Sequence, residues 1–411
     1  MKIVNKINLD TTGAVMSHYL QNKGTAFCDP FIKDALQYMS GGCNDNALSD
    51  TACQYDLFST LCSIPFKCSN NPKFTFIDLF AGIGGFRLAL QNLGGKCVFS
   101  SEWDSQAQKT YFVNFGEVPF GDITKETTKQ YIPDNFDILC AGFPCQAFSL
   151  AGKRLGFEET RGTLFFDVAE IIRRKRPKAF FLENVKGLVS HDRGKTLQTI
   201  LNVLRNDLDY YVPDPEVVNA MNFGVPQHRE RIYIVGFRKD LQVQDFTYPT
   251  PTDSTKKFID IREKSVVSAK YYLSTQYQKT LIEHKKRHES KGNGFGYEII
   301  PDNGIANAIV VGGMGRERNI VIDNRLTDFT PTTNIKGEVN RDGWRRMTPR
   351  EWARLQGFPD EFIIPVADAS AYKQFGNSVT IPVIKEMAEF MNACFDKMNS
   401  VQMEKIVERA K

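Results

Sequence analysis

Residues 74–80, FTFIDLF, form a near-continuous apolar run that passes directly into the glycine turn AGIGG and then into the helix-patterned stretch FRLALQNLGG. A short unbroken apolar run bounded by a tight turn is the mark of a strand buried on both faces. Such strands belong almost only to parallel sheets covered by helices. The pattern then repeats. KCVFSSEWD reads as a strand and SQAQKTYFVNF as a helix. FDILCAGF is a strand, and TLFFDVAEIIRRKRP a helix stopped at Pro177. KAFFLENV is a strand, TLQTILNVLRNDL a helix and RERIYIVGF a strand. This alternation predicts an α/β fold with a doubly wound, mostly parallel sheet.

The alternation has limits, and they suggest domains. CSNNPK (68–73) reads as a linker after an N-terminal extension, 1–72, in which only FIKDALQYM has helical spacing. YPTPTDSTKK is a turn-rich boundary near residue 250. The segment 251–346 that follows is glycine-rich, with short β-like runs such as NIVID. It holds 17 Lys plus Arg against 12 Asp plus Glu. That local excess of +5 is larger than the +4 of all 411 residues, so a surface for a polyanion would be local to this segment. Residues 347–411 look helical again and are expected to complete a first domain begun at 73–250.

Composition excludes some classes. No apolar run approaches the roughly 18 residues that span a bilayer. The opening MKIVNKINLD lacks the apolar core of a signal peptide, so the cytoplasm is the expected compartment. Nine cysteines include no C-x-x-C pair. The five before residue 70 (Cys28, Cys43, Cys53, Cys62, Cys68) are irregularly spaced, which fits small buried residues better than a zinc site, and no metal is expected.

Parallel sheets of this kind bind ligands beyond the carboxyl ends of their strands. Gly82 and Gly84 follow the first strand, where glycine lets backbone approach a ligand at a helix start. The spacing is G-x-G-G, and Arg87 stands where a dinucleotide fingerprint has its third glycine, which disfavours a nicotinamide oxidoreductase. Glu102 ends the second strand, 20 residues after Gly82, where an acid would take ribose hydroxyls. Asp122, in GDI, is expected at the end of a third strand, where it would take an adenine amino group. Together these three positions suggest an adenosine-containing cofactor. Two further strands are expected to end at Cys145 and Glu183. A thiol is mostly protonated at neutral pH and needs help to attack, which the arginines at 229 and 231 would supply by lowering its pKa. Pro144 restricts Phe143 to extended backbone and stiffens the turn that presents Cys145.

With these residues in place, the chain resembles the cytosine-5 DNA methyltransferases, especially bacterial modification enzymes. The stretches that carry the resemblance are DLFAGIGGFRLAL, SEWD, GDI, CAGFPCQAFS, RGTLFF, LENVKGL, GVPQHRERIYIVGF, MTPREWARLQGFPD and YKQFGNSVTIPV. They run in the family's order from 74 to 384, about three quarters of the chain. The resemblance implies a Rossmann-like domain that binds S-adenosylmethionine, a smaller β-rich target-recognition domain at 251–346, and methyl transfer to carbon 5 of a cytosine flipped out of duplex DNA. Cys145 would be the nucleophile. Glu183 would hold ring nitrogen 3, and Arg231 the carbonyl oxygen, with Arg229 beside it. Phe80 would stack on adenine, Glu102 bind the ribose, and Trp103 and Ile123 cover the ring faces beside Asp122. Leu164, Asn377 and Val379 would close around the methionine end. Gln146 and Ser149, next to the nucleophile, would touch DNA, and SLAGKRLGFEETRG looks like the segment that closes over the base.

Arg316, Arg318 and Asn319, in GGMGRERN, have side chains suited to guanine and adenine edges, although arginines meet phosphates more often than bases. The expected partner is double-stranded DNA, bound by a monomer with no membrane association, in a restriction–modification setting with a companion endonuclease. Two alternatives stand beside this reading. One is an RNA cytosine methyltransferase with the same motifs, disfavoured by the long basic segment. The other is an added DNA-binding regulatory role for residues 1–72, which show no helix-turn-helix pattern.

Overall fold

The computed structural model describes residues 9–21, 29–40, 64–143, 164–243, 245–252, 256–312, 315–332 and 337–409. Eleven strands lie within them: β1 Phe74–Leu79, β2 Gly95–Ser101, β3 Ile138–Gly142, β4 Ala179–Val185, β5 Tyr210–Tyr211, β6 Glu216–Asn219, β7 Gln227–His228, β8 Glu230–Arg238, β9 Ala306–Asn307, β10 Ile320–Ile322 and β11 Trp344–Arg346. The central sheet runs β2-β1-β3-β4-β8-β5, with β6 also paired to β8. β1 to β4 are parallel, and β8 returns antiparallel to β4. The chain leaves β1 toward β2 on one side and later places β3 on the other. A ligand crevice is expected where connections diverge in this way, outside the carboxyl ends of β1 and β3.

The two faces of the sheet carry two cores. Phe76, Cys140, Phe181 and Val235 pack with helices Gly85–Gln91 and Ile381–Arg409 through Leu88, Leu90, Val383, Ile384 and Met387. Ile77, Leu79, Leu139, Phe180 and Leu182 face helix Leu164–Lys175 through Val168, Ile171 and Ile172. Adjacent residues of one strand thus serve opposite cores, which explains the unbroken apolar run in the sequence. Helix Ile381–Arg409 lies on the sheet through Val383, Ile384 and Met387.

Several local expectations differ from what forms. GDI does not end a strand: only Phe120 bridges to Ser101 of β2. β3 ends at Gly142, short of residue 145. TLQTILNVLRNDL is helix Lys195–Asn202 followed by a π-turn, Val203–Asp207. Within 251–346 the described strands are two or three residues long, and the longest described regular element is helix Thr275–Glu289. The described β content there is therefore less than the sequence suggested.

The N-terminal extension is built onto the sheet. Helix Thr11–Gln21 buries Gly13 through His18 without a break, and helix Asp29–Ser40 packs beside it through Phe31 and Ala35. The Ser17 hydroxyl accepts the Val118 N–H at 2.9 Å, and Tyr131 donates to Asp34 at 2.6 Å. Below them Arg87 is fully buried. It donates to both Glu117 oxygens at 2.6 and 3.0 Å and to the Tyr111 hydroxyl at 3.1 Å, with its guanidinium over the Phe115 ring. His18 lies 3.6 Å from the same carboxylate, and its burial lowers its pKa. The arginine that replaces the third fingerprint glycine therefore ties the helix after the glycine turn to the extension.

Candidate active site

The carboxyl ends of β1, β2, β3 and β4 meet at one edge. After β1 the backbone alternates in hand: Phe80, Gly82 and Gly84 have φ of 56°, 56° and 85°, with Ala81 and Ile83 between them on the ordinary side. The N–H groups of this turn are spent within the protein: Ala81 donates to the Ser101 carbonyl and Gly84 to the Ala81 carbonyl, each at 2.8 Å. Gly84 has no room for a side chain, because a Cβ there would meet the Phe115 ring at 2.3 Å. The two Glu102 oxygens accept N–H groups from Gly82 and Asp104, each at 2.8 Å. Burial raises the Glu102 pKa, and those N–H donors oppose the shift.

Beside Glu102, Trp103 is 76% exposed, an unusual position for an indole on an enzyme surface. Asp122 lies beyond it, partly buried, with one oxygen accepting from the Thr124 N–H and hydroxyl. Phe80 is half-buried against the core and Ile123 is buried within it, so Ile123 presents little surface to a ligand here. Val379 sits in van der Waals range of Gly142 and would clash with any side chain at Gly85, which brings the C-terminal GNSV stretch to the same edge. Asn377 is exposed there, and Leu164, half-buried, opens helix Leu164–Lys175. An exposed aromatic and two carboxylates along one edge fit an adenosine-containing, positively charged cofactor.

Glu183 is buried near the end of β4. Its carboxylate lies 3.0 Å from Arg231 Nε, and Gly142 is its close neighbour on β3. Desolvation raises the Glu183 pKa, and the guanidiniums of Arg231 and Arg229 pull against that. The protonated form is thereby closer to neutral pH than in an ordinary glutamate. Arg231 spends Nη1 on the Glu230 carbonyl at 2.8 Å and keeps 16% side-chain exposure. Cys145, Gln146 and Ser149 lie outside the described residues. The backbone leading to them is held from below, since Asn184 donates to the Phe143 carbonyl at 2.9 Å.

Arg229 does not share the position of Arg231. It is buried, and donates to the carbonyls of Ile309, Gly376 and Ser378 at 2.9, 3.1 and 2.8 Å. Burial pushes its pKa down to about 9, so it stays protonated at neutral pH. In place of a base contact, it joins the second module to the C-terminal segment. Asn319 is corrected likewise. It is 0% exposed, with its amide bonded to the backbone N–H and carbonyl of Asn307 at 2.8 and 3.2 Å. In RERN exposure alternates, so Arg316 and Arg318 face out while Glu317 and Asn319 face in. Arg316 lies over the Tyr372 ring and Arg318 pairs with Glu298 at 3.0 Å.

Sequence reasoning overlooked Asn184, Gln227 and Asp78. Gln227 donates to the Leu355 carbonyl at 2.9 Å and accepts the Ile309 N–H at 3.0 Å. Asp78, on β1, has both oxygens buried with no hydrogen-bond partner among the described residues, and desolvation pushes its pKa up to about 8. The only available signal was an acid inside an otherwise apolar strand.

No helix among the described residues is long and apolar enough to cross a membrane. Residues 74–393 match the C-5 cytosine-specific DNA methylase family. The Type II methyltransferase M.HpaII of Haemophilus parainfluenzae is 72% identical over 346 residues, covering 83% of this chain and 94% of the relative. The Type II methyltransferase M.HhaI of Haemophilus parahaemolyticus is 44% identical over 325 residues, covering 76% and 92%. Among solved structures, the Dnmt2 methyltransferase of S. pombe superposes with a TM-score of 0.57 at 19% identity, covering 77% of this chain and 96% of that one, a likeness of fold.

Proposed function

The chain belongs to the C-5 cytosine-specific DNA methylases, and from that premise we propose that Cys145, Glu183 and Arg231 carry out its chemistry on a cytosine flipped out of duplex DNA. The enzyme is a DNA cytosine-5-methyltransferase of the Type II restriction–modification kind. The observation that carries the residue assignment is the buried Glu183–Arg231 pair at the edge where β3 leads toward residue 145.

Carbon 5 of cytosine is a weak nucleophile. The Cys145 thiolate adds to carbon 6, and the displaced electron pair enriches carbon 5. Glu183, protonated, hydrogen-bonds ring nitrogen 3 and shares its proton as charge builds there, while Arg231 Nη2 supports the carbonyl oxygen. Phe80, Glu102, Trp103, Asp122 and Val379 would hold S-adenosylmethionine, whose sulfonium methyl would pass to carbon 5 while the carbon–sulfur bond breaks and the sulfur leaves with its electron pair as a neutral thioether. Loss of the carbon 5 proton then restores the ring double bond and expels the Cys145 thiolate. Extruding the base costs a few kcal/mol. Glu183 is buried, so its carboxyl acts in a medium of lower dielectric than water.

Sequence choice is assigned to residues 251–346, with Arg316 and Arg318 as the outward cations of its glycine-rich stretch. A monomer in the cytoplasm, working opposite a companion endonuclease, completes the reading. The experiment is covalent capture. With duplex DNA carrying 5-fluorocytosine at the methylated position, wild-type protein accumulates a denaturant-stable adduct and Cys145→Ser forms none. An adduct that persists in Cys145→Ser and vanishes in Cys140→Ser refutes the assignment.

A further inference from the structure

Residues 376–380, GNSVT, come to the carboxyl edge of the sheet from the far end of the chain. One methyl of Val379 would lie 2.7 Å from a Cβ at Gly85, and the other 3.5 Å from a Cβ at Gly142. Gly85 opens the helix that follows the glycine turn, and Gly142 ends β3 close to the Glu183 carboxylate. The loop thus stands between the cofactor edge and the reacting pair, and its position is felt on both sides.

Gln356 holds this loop from behind. It caps the carboxyl end of helix Pro349–Leu355 and is 0% exposed. Its Nε2 donates to the Phe375 carbonyl at 2.8 Å and to the Ser378 carbonyl at 3.2 Å. Its Oε1 accepts the Thr380 hydroxyl at 2.8 Å, and its backbone carbonyl accepts the Ile381 N–H at 2.9 Å. Val379 is therefore bracketed on both sides by bonds to one residue. The next residue, Gly357, has φ 80°, and a Cβ there would lie 2.4 Å from Pro382 Cδ, so the two segments also touch beyond these bonds.

A buried amide needs partners wherever it lies, so the bonds alone describe a satisfied core. Where they go is the informative part. The amide spends both of its donors outside its own helix, on the segment that carries Val379, and its oxygen takes the hydroxyl of the residue next to Val379. The Ser378 carbonyl, on the other side of Val379, also accepts Arg229 Nη2 at 2.8 Å. Thr380 is itself buried, so its hydroxyl depends on this amide rather than on water.

We infer that Gln356, through the Thr380 hydroxyl and the Ser378 carbonyl, is a positioning residue for cofactor binding: it sets where Val379 stands beside the methionine end of S-adenosylmethionine. The inference rests on the cofactor placement proposed above. Gln356 itself touches neither cofactor nor base. Without its bonds the loop gains freedom that cofactor binding must then remove, which lowers affinity and leaves the reacting groups in place.

The test measures S-adenosylmethionine binding to the full chain by titration calorimetry, well below the unfolding temperature. Thr380→Val keeps the shape and removes the hydroxyl, and is expected to weaken binding about three- to tenfold, the worth of one hydrogen bond. Thr380→Ser restores the hydroxyl and is expected to bind as the wild type does. Gln356→Met keeps the length, removes every side-chain bond, and is expected to lose more than Thr380→Val. In methyl transfer, KM for the cofactor rises in both weakened variants while kcat holds. Leu281→Ala opens a cavity in the core of 251–346, lowers the unfolding midpoint, and is expected to leave cofactor affinity unchanged. Where Gln356→Met does not fold, the Thr380 pair decides. Wild-type protein that binds no S-adenosylmethionine refutes the cofactor placement and the inference with it. Wild-type binding that persists undiminished in Thr380→Val, falls as far in Thr380→Ser, or falls equally in Leu281→Ala overturns the inference alone.

Discussion

Replacing Glu183 by Gln tests the centre of the proposed chemistry. The substitution keeps the shape and one acceptor oxygen, and removes both the negative charge and the transferable proton. In the free protein the loss falls on Arg231, whose Nε lies 3.0 Å from the carboxylate. A buried guanidinium left without its acid costs several kcal/mol. Here the side chain retains 16% exposure and can reach water, so the cost is about 1–3 kcal/mol. That lowers the unfolding midpoint and leaves the protein folded at room temperature. Turnover suffers more. A positioned acid contributes about 10²–10⁴ in rate, or about 3–5 kcal/mol in the barrier.

The assay separates the two effects. Single-turnover transfer of a labelled methyl group, at saturating enzyme, is expected to slow by that factor while the DNA dissociation constant changes by less than about threefold, the share that leaves binding energy intact. A pH profile sharpens the reading. Burial raises the Glu183 pKa, so the wild-type protonated fraction, and with it kcat/KM, falls as pH rises through that raised value. Gln has no such proton, so its profile lacks that limb. Turnover near the wild-type rate, a loss wholly explained by weaker DNA binding, or the same alkaline limb in the Gln variant would refute the role.

Two further outcomes concern the supports of the site. Glu117→Gln leaves Arg87 charged and fully buried, and is expected to destabilise the fold by about 3–5 kcal/mol, read as the shift in urea midpoint at constant m; an unchanged midpoint refutes the view that this pair anchors the extension. Asp78→Asn is expected to stabilise the protein increasingly as pH rises from about 4 to about 8. The unfolded carboxyl ionises from the lower value while the folded one holds its proton to about 8, so the wild type loses up to about 1.4 kcal/mol per pH unit across that window. Urea midpoints of both proteins at pH 5 and pH 8 check the sign, and a gain that shrinks with pH contradicts it.

What the sequence disclosed follows from what burial leaves visible. β1 was legible because a strand covered on both faces has an unbroken apolar run, and the glycine turn because Gly84 admits no Cβ. Glu183 stood out in the sequence because LENV places an acid near the end of an apolar strand, two residues before β4 ends at Val185. Helix Thr11–Gln21 was not, for the same physical reason in reverse: six consecutive buried residues leave no stripe of period 3.6 to detect. Helix Thr275–Glu289 escaped notice because Leu281 and Ile282 are almost its only apolar residues. Asn319 and Arg229 misled because residue type states what a side chain can bond, while burial decides what it does bond.

The segment Gln227–Arg231 shows how much one extended stretch can join. Its odd-numbered residues divide three tasks. Gln227 and Arg229 grip Ile309 from both sides, one taking its N–H and the other its carbonyl. Both also reach the C-terminal segment, at Leu355 and at Gly376 and Ser378. Two residues further on, Arg231 meets Glu183. Ile309 lies seven residues before Arg316, the first of the two cations proposed to face DNA, and is held by the segment that leads into β8 and Arg231. A guanidinium suits this place because five donors in a rigid plane can hold three carbonyls from two separate segments at once. Its charge survives burial at neutral pH, since its pKa falls only to about 9. A lysine there would offer one mobile nitrogen to the same carbonyls and would lose the planar geometry that fixes their spacing. The segment around Ile309 and the segment that carries Arg231 are therefore linked by side chains bonded to backbone groups, which is why residue types alone did not reveal the link.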